Sequence, residues 1–280
     1  MVRTDLFLEA VGPWAGEARI GTSTRRGGVS RPPYADLNLG AGTGDAPEAV
    51  AENRRRLTAA LHLPAEPFWL RQVHGTRVVR ASRGPVEPEE ADGAWTDEPG
   101  VVLAVLTADC VPVVVHVPRR GCLAVAHAGW RGLARGVLEA TLEAIGGGRG
   151  AEAWIGPAID PALYEVGPEV REALLTRCPT GAGHFRPARD GRFFCDLPAL
   201  TARHLHALGV ERVVPCGRFT SETELFYSYR RERETGRQAT LAWLVAPPPA
   251  PGAGGAGLRA TLKARSLPPF WEEEEAQHAS

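Results

Sequence analysis

The chain has 280 residues, enough for one large hydrophobic core or two small ones. Its 44% hydrophobic and 23% charged residues are typical of a globular enzyme, and a formal net charge of −1 argues against a nucleic acid or an anionic membrane as the partner. The sequence has no apolar run long enough for a signal peptide or a membrane span, and its five cysteines are scattered singly. We therefore expect a cytoplasmic protein.

The first predicted helix follows a glycine-rich turn. Asp45 is placed to act as its N-cap, Pro47 suits the first turn, and Glu48 completes a capping box. The apolar spacing predicts that this helix ends near His62.

Strands and further helices follow in the middle of the chain. Three apolar, β-branched runs predict strands over Val101 to Leu106, Val113 to Val117 and Leu123 to Ala126. Helical patterns cover the segment from Gly132 to the glycines at 146–148, then 168–177 and 197–208. Because strands neighbour one another instead of alternating strictly with helices, the sequence predicts a mixed α/β fold with packed sheets.

The end of the chain changes in composition. Residues 246–251 are mostly proline, Gly/Ala repeats follow, and Glu272–Glu275 form a run of like charge. The sequence predicts a single catalytic domain over residues 1–245 and a flexible Pro/Gly-rich tail over residues 246–280.

Three side chains of metal-binding type stand where apolar runs break into small or polar residues. They are His74, Cys110 and His127. One thiolate and two imidazoles suit a catalytic zinc ion, whose remaining position holds water or substrate. A blue-copper site also uses these ligands but needs a weak axial ligand, usually methionine, and the only methionine is Met1. Taken singly, each residue also fits a purely structural role.

Other metal chemistries find less support. A multicopper centre needs more imidazoles than eight scattered histidines provide, and His204 and His206 would point to different faces of a helix. The His-x-Glu and Pro-Cys-x-x-Cys signature of zinc nucleoside deaminases does not occur. A thiolate activated by imidazole in a metal-free cysteine hydrolase stays open.

The motifs around these residues resemble the YfiH/laccase-domain family, also described as the peptidoglycan-editing factor or purine nucleoside phosphorylase family. The resemblance covers roughly residues 18–244 and rests on motifs in this order: Thr24-Arg25-Arg26-Gly27-Gly28-Val29-Ser30, Leu37-Asn38-Leu39, Asn53-Arg54, Gln72-Val73-His74-Gly75, Ala91-Asp92, Ala108-Asp109-Cys110, His127-Ala128-Gly129-Trp130-Arg131-Gly132, Gly156-Pro157-Ala158-Ile159, Tyr164-Glu165-Val166-Gly167 and Tyr229-Arg230-Arg231. One departure is that Phe219-Thr220 stands where the family usually has Cys-Thr, and the nearest thiol is Cys216.

The resemblance implies a YfiH-like four-layer αββα sandwich. It also implies that His74, Cys110 and His127 bind one zinc ion per chain, with copper the less favoured metal. The implied activity is phosphorolysis of adenosine, inosine or methylthioadenosine, with adenosine deamination as a side activity. The partners would be a purine nucleoside and phosphate, and the protein would be a monomer or a homodimer.

Several polar residues inside the motifs are candidates for substrate or phosphate contacts. Arginine binds phosphate with two-pronged geometry, and Arg131 at a predicted helix start is the favoured anion ligand. Asp109 and Gln72 are candidates to orient an imidazole, and Asn38 is a candidate to bond a substrate edge. The full set is Arg25, Asn38, Arg71, Gln72, Asp109, Arg131 and Arg230.

Three other functions stay open at the level of sequence. One is a cysteine hydrolase or amidase that edits peptidoglycan precursors, and the second is a copper-dependent polyphenol oxidoreductase. The third is a non-catalytic metal-binding interaction protein that uses the tail.

Overall fold

The computed structural model describes residues 5–84 and 87–245. The strands in these ranges are β1 (Phe7–Glu9), β2 (Ala18–Ser23), β3 (Val78–Arg80), β4 (Gly93–Thr96), β5 (Val102–Thr107), β6 (Val111–Val117), β7 (Cys122–Ala128), β8 (Glu152–Ile155), β9 (Glu165–Val166), β10 (Phe185–Pro187), β11 (Phe193–Cys195), β12 (Arg212–Pro215) and β13 (Gln238–Leu244). The α-helices are α1 (Pro47–Leu61), α2 (Trp130–Arg135), α3 (Val137–Ala144), α4 (Pro168–Arg177), α5 (Leu197–Ala207) and α6 (Tyr229–Glu232). The predicted tail over 246–280 lies outside the described residues, and its boundary stays a prediction.

Two sheets form the centre of the fold. One has the order β1-β2-β13-β5 and the other the order β12-β8-β6-β7-β4-β3. Their pairs are antiparallel except β12 with β8 and β3 with β4. A small third sheet has the order β10-β11-β9.

The burial of alternate residues shows how the layers stack. On β5, Leu103 and Val105 pack in the core between the two large sheets, whereas Val102 and Ala104 belong to the core under α1. The outer face of the six-stranded sheet packs against α3, α4 and α5. Since successive strand residues point to opposite faces, each sheet buries both of its faces. The layers are therefore helix, sheet, sheet and helix, and the predicted αββα sandwich is confirmed.

The predicted elements agree closely with those observed. The predicted strands correspond to β5, β6 and β7, the helix over 168–177 is α4, and the helix over 197–208 is α5. The first helix ends at Leu61, one residue before the predicted His62.

Two local predictions were wrong. The N-cap of α1 is Ala46, and the Asp45 carboxylate instead accepts bonds from the Ser30 hydroxyl and the Asn38 amide. The helix predicted to follow Gly132 is two helices, because Gly136 has a φ of 100° and ends α2 before α3 begins.

Candidate functional site

The candidate metal site consists of His74, Cys110 and His127. Across residues 5–84 and 87–245 they are the one group of three or more His, Cys, Asp or Glu side chains placed to hold a metal ion, and their ligand atoms all lie within 4.8 Å of one another. Cys110 Sγ lies 3.8 Å from His74 Nε2, and the two imidazole rings meet edge to face with centroids 4.7 Å apart. His127 is buried and the other two are half-buried, so one side of the group faces solvent.

Strand register brings the thiol and the buried imidazole together. Cys110 directly precedes β6, and on that strand Pro112 lies opposite His127 of β7. Residues two apart on a strand point to the same face, so Cys110 and His127 share the face toward the other large sheet. His74 reaches the pair from a loop in which its own φ is 59°, a left-handed conformation that non-glycine residues rarely adopt.

Gly129 allows the ligands to approach one another. A Cβ at this position would lie 2.8 Å from Cys110 Sγ and 3.1 Å from His74 Cδ2. The first distance is shorter than any ordinary carbon–sulfur contact, so a side chain here would displace the thiol. Gly129 is thus required by the site itself and also serves as the N-cap of α2.

Asp92 orients the buried imidazole. Its Oδ1 accepts a 2.8 Å bond from His127 Nδ1, and because a carboxylate can only accept, Nδ1 carries the hydrogen and Nε2 is left to bind a metal. Asp109 and Gln72, the residues predicted for this role, bond other groups, so that prediction was wrong. Asp92 was present in the Ala91-Asp92 motif, and an acid directly before the apolar strand β4 was the signal available.

The site favours the thiolate form of Cys110. Burial raises the pKa of the thiol, but the charge and hydrogen bond of His127, with a smaller contribution from His74, lower it to about 6. Burial lowers the pKa of His127, and the Cys110 charge together with Asp92 reverses this and raises it. The thiolate is the form of cysteine that binds metals.

The donor set fits a zinc ion with an open position, since it supplies one sulfur and two nitrogens. The other histidines that the structure describes lie outside this group, for example His204 against Glu139 and His206 against the Val210 carbonyl. Cys216 lies outside the group, and its Sγ accepts from the backbone N–H of Arg218.

Two of the predicted arginines are paired with carboxylates of the protein. Arg25 donates to the Ala35 carbonyl and to the Glu232 carboxylate, and its guanidinium thereby links a loop to α6. Arg71 is exposed and lies 3.4 Å from the Glu90 carboxylate. Each guanidinium is therefore paired with other groups of the protein.

The two predicted amides also make internal bonds. The Gln72 side chain donates to the Leu106 carbonyl at 2.8 Å and accepts from the Leu106 N–H at 2.7 Å. Asn38 is fully buried, donates to Asp45 and accepts from the Arg237 N–H. Each amide oxygen thus accepts from a backbone N–H group, and the amides are engaged by the protein itself.

Asp109 fastens a distant segment beside the metal ligands. Its Oδ1 accepts from the Thr220 hydroxyl and its Oδ2 from the Arg230 backbone N–H, both at 2.6 Å. The Arg230 guanidinium donates to the Glu165 carbonyl and lies 5.2 Å over the Tyr164 ring. The residue before Cys110 therefore fixes where Arg230 stands.

Arg131 and Arg230 both lie around Tyr164. Burial raises the pKa of the Tyr164 phenol, the Cys110 charge raises it further, and the charges of Arg230 and Arg131 lower it. Arg131 is exposed, with its guanidinium 4.5 Å from the Trp130 ring centroid. Of the predicted anion ligands, these two arginines are the ones whose charges act on Tyr164.

Comparisons with known proteins found relatives that match most of the chain. The sequence model of the multi-copper polyphenol oxidoreductase laccase family matches residues 19–245. The chain is 45% identical over 226 residues to the Escherichia coli purine nucleoside phosphorylase YfiH, covering 80% of this chain and 93% of that protein. It is 47% identical over 236 residues to a Pseudomonas aeruginosa purine nucleoside phosphorylase, covering 82% and 96%.

Solved structures share the fold. A Neisseria meningitidis protein superimposes with a TM-score of 0.82 at 40% identity, covering 86% of this chain and 100% of that one. YlmD from Geobacillus stearothermophilus gives a TM-score of 0.78 at 32% identity, covering 87% and 100%. In residues 5–84 and 87–245 none of the helices combines the length and apolarity of a membrane span.

Proposed function

The chain belongs to the multi-copper polyphenol oxidoreductase laccase family, and on that premise we propose that it is a zinc-dependent purine nucleoside phosphorylase. Its substrates would be adenosine, inosine or methylthioadenosine together with phosphate, with adenosine deamination as a side activity. In the main reaction the bond from C1′ to the purine nitrogen breaks, a phosphate oxygen bonds to C1′, and the purine takes up a proton. The names of the relatives at 45% and 47% identity support this assignment.

The observation that carries the proposal is the group of one thiol and two imidazoles, together with Arg131, two residues after Gly129, and Arg230, whose backbone N–H bonds the residue before Cys110. His74, Cys110 and His127 would hold the zinc ion, which when bound supplies a Lewis acid with an open position. Arg131 and Arg230 would hold phosphate against the ribose, because a guanidinium forms charge-assisted bonds to two phosphate oxygens at once.

The remaining candidates would act through the shape of the site. Asp109 positions Arg230 by accepting a bond from the Arg230 backbone N–H, and Gln72 bonds β5 and so fixes the His74 loop against it. Arg25 and Asn38 are engaged inside the fold and would support the site through packing, without a bond to phosphate. Arg71, paired with Glu90 at the surface, would contact neither phosphate nor the metal.

The test is incubation of the purified protein with adenosine, with and without phosphate, followed by identification of the products. We expect adenine and ribose 1-phosphate only when phosphate is present. Inosine formed without phosphate would assign deamination as the main activity, and an unchanged nucleoside in every case would overturn the proposal. Cys110→Ser is the inactive reference, and Cys216→Ser, which also changes a half-buried thiol, is its matched control.

Metal analysis separates the competing functions. About one zinc per chain supports the proposal, whereas a metal-free active protein would favour the cysteine hydrolase, which would use Cys110 beside His74. Copper together with oxidation of a phenol would favour the polyphenol oxidoreductase. The cytoplasmic location and the monomeric or dimeric state stay predictions.

A further inference from the structure

We propose that Asp92 is a positioning residue that preorganises both imidazole ligands, His74 and His127, so that one buried carboxylate sets the metal affinity of the site. The inference rests on the metal centre of the proposed function but not on phosphorolysis. It concerns a residue that contacts the ligands and would not itself contact the metal.

Asp92 holds His127 at two points. The side chain accepts from His127 Nδ1 at 2.8 Å, and the Asp92 backbone carbonyl accepts from the His127 N–H at 2.7 Å. Both side chains are buried, with 0% of Asp92 and 4% of His127 exposed. The ring therefore has a fixed tautomer and a fixed orientation, with Nε2 as its only lone pair available to a metal.

The same carboxylate holds the backbone of the second ligand. Three successive N–H groups, those of Val73, His74 and Gly75, donate to it at 3.1, 2.9 and 2.6 Å. These bonds stabilise the left-handed conformation of His74, whose φ is 59° and which costs a non-glycine residue roughly 1 kcal/mol or more. Without them this loop would relax and carry the imidazole away from Cys110.

Asparagine cannot replace this carboxylate, although it has the same shape. Asp92 accepts four N–H bonds on two oxygens, and an amide has only one oxygen. Its NH₂ group would face donors, either the N–H groups of Val73 and Gly75, which bond Oδ2, or the His74 N–H and the His127 ring, which bond Oδ1. Asp92→Asn must therefore disturb at least one of the two imidazole ligands.

The experiment measures zinc affinity by competition with a chelator, in the wild-type protein and in Asp92→Asn. We expect the dissociation constant to rise about 10–100-fold, as for other residues that orient metal-bound histidines. The visible spectrum of the Co²⁺-loaded variant should also change, because the ligand geometry changes. A dissociation constant within a factor of about two of the wild-type value would overturn the inference, whatever the nucleoside turnover.

The matched control is Glu139→Gln. Glu139 is a partly buried carboxylate that also bonds a buried histidine, His204 at 3.1 Å, but it lies outside the metal group. This change should leave the zinc dissociation constant as in the wild type. If both variants lose zinc equally, general loosening of the fold explains the result and the inference fails.

A second background separates the two ligands. In the His127→Ala protein, Asp92→Asn should still weaken the remaining metal binding several-fold, because the His74 loop is released. No further effect there would mean that Asp92 acts on His127 alone. Should Asp92→Asn fail to fold, NMR of the zinc-loaded wild-type protein decides: a slowly exchanging Nδ1–H of His127 supports the inference, and a hydrogen on Nε2 instead of Nδ1 overturns it.

Discussion

Two carboxylate–histidine pairs of this protein, each with a buried histidine, have nearly the same local chemistry. Asp92 and His127 are joined at 2.8 Å, and Glu139 and His204 at 3.1 Å. The pairs differ in the group next to them. His127 lies beside the Cys110 thiol and the His74 imidazole, whereas Arg177 lies 2.5 Å from the Glu139 carboxylate. Such a pair is therefore not by itself a sign of function, and the group that approaches it decides what it does.

The two pairs also differ in the elements that they join. Asp92 lies just before β4 and connects a loop to β7, at a strand end where the backbone can expose ligands. Glu139 of α3 instead connects α4 and α5 through Arg177 and His204. The first arrangement positions side chains for chemistry, and the second fastens three helices to one another.

The strongest way to break the comparison is to remove the thiol that distinguishes the first pair. Cys110→Ser should lose most bound metal and nearly all turnover, because a hydroxyl is a poor zinc ligand. Metal content and nucleoside turnover are the measurements. Cys122→Ser, Cys178→Ser, Cys195→Ser and Cys216→Ser should keep most activity, and full activity with bound metal in Cys110→Ser would remove the site assignment.

A second change tests the close approach of the ligands. Gly129→Ala places a Cβ 2.8 Å from Cys110 Sγ, and overpacking of this kind typically costs 1–3 kcal/mol. If the strain falls on the metal-bound state, zinc affinity should drop about 10–100-fold. Gly183→Ala is the control, since its Cβ would meet nothing within 4 Å. Unchanged zinc affinity in Gly129→Ala would show that the thiol can move at little cost.

Arg131→Ala tests whether the first pair serves a phosphate site. A lost charge-assisted bond is worth roughly 1.5–3 kcal/mol, so the apparent phosphate constant should weaken by about one to two decades with normal metal content. Arg131→Lys should recover part of the loss, because an ammonium lacks the planar fork. The exposed Arg203 on α5 provides the control substitution Arg203→Ala. An unchanged phosphate titration would make Arg131 structural and leave Arg230 as the anion ligand.

The second pair should affect stability alone. Burial raises the pKa of Glu139, but the bonds from His204 and Arg177 outweigh it and lower the pKa below the ordinary 4.5. The ionised form thus stabilises the fold above pH 4.5, and this contribution is lost as the pH falls through the lowered pKa. Glu139→Gln should lower the free energy of unfolding by about 1–3 kcal/mol at pH 7. Measured in urea, this free energy should then depend less steeply on pH in the acid range. Altered zinc content in this variant would contradict the assignment.

The sequence allowed prediction of the ligands and of the central strands, because each ligand interrupts an apolar run and each strand follows the period of two. It did not reveal Asp92, whose partner His127 is 35 residues away along the chain. The same holds for the capping box at Asp45: local chemistry favoured it, but Ser30 and Asn38 compete for the carboxylate in the folded chain. Contacts across layers depend on the packing of sheets, which residue patterns do not specify.

A third buried histidine extends the comparison to a ring without a close partner. His116 of β6 is 1% exposed, neither ring nitrogen has a hydrogen-bond partner among the described residues, and the Glu17 carboxylate lies 3.6 Å from Nε2. Burial lowers the pKa of His116 and exceeds the opposite effect of Glu17. The folded protein therefore keeps the ring neutral at a pH where the unfolded chain protonates it.

The neutral His116 ring should make the folded protein less stable as the pH falls. Below the ordinary pKa of 6.5 the unfolded state binds one proton more than the folded state, so stability declines as the pH falls from 6.5 toward the lowered pKa. One such group contributes at most about 1.4 kcal/mol per pH unit. His116→Phe should flatten the free energy of unfolding between pH 7 and 5, measured in urea, whereas His62→Asn at an exposed helix end should leave its slope as in the wild type. A wild-type slope in His116→Phe would mean that the ring takes up its proton inside the fold, with Glu17 as its counter-ion.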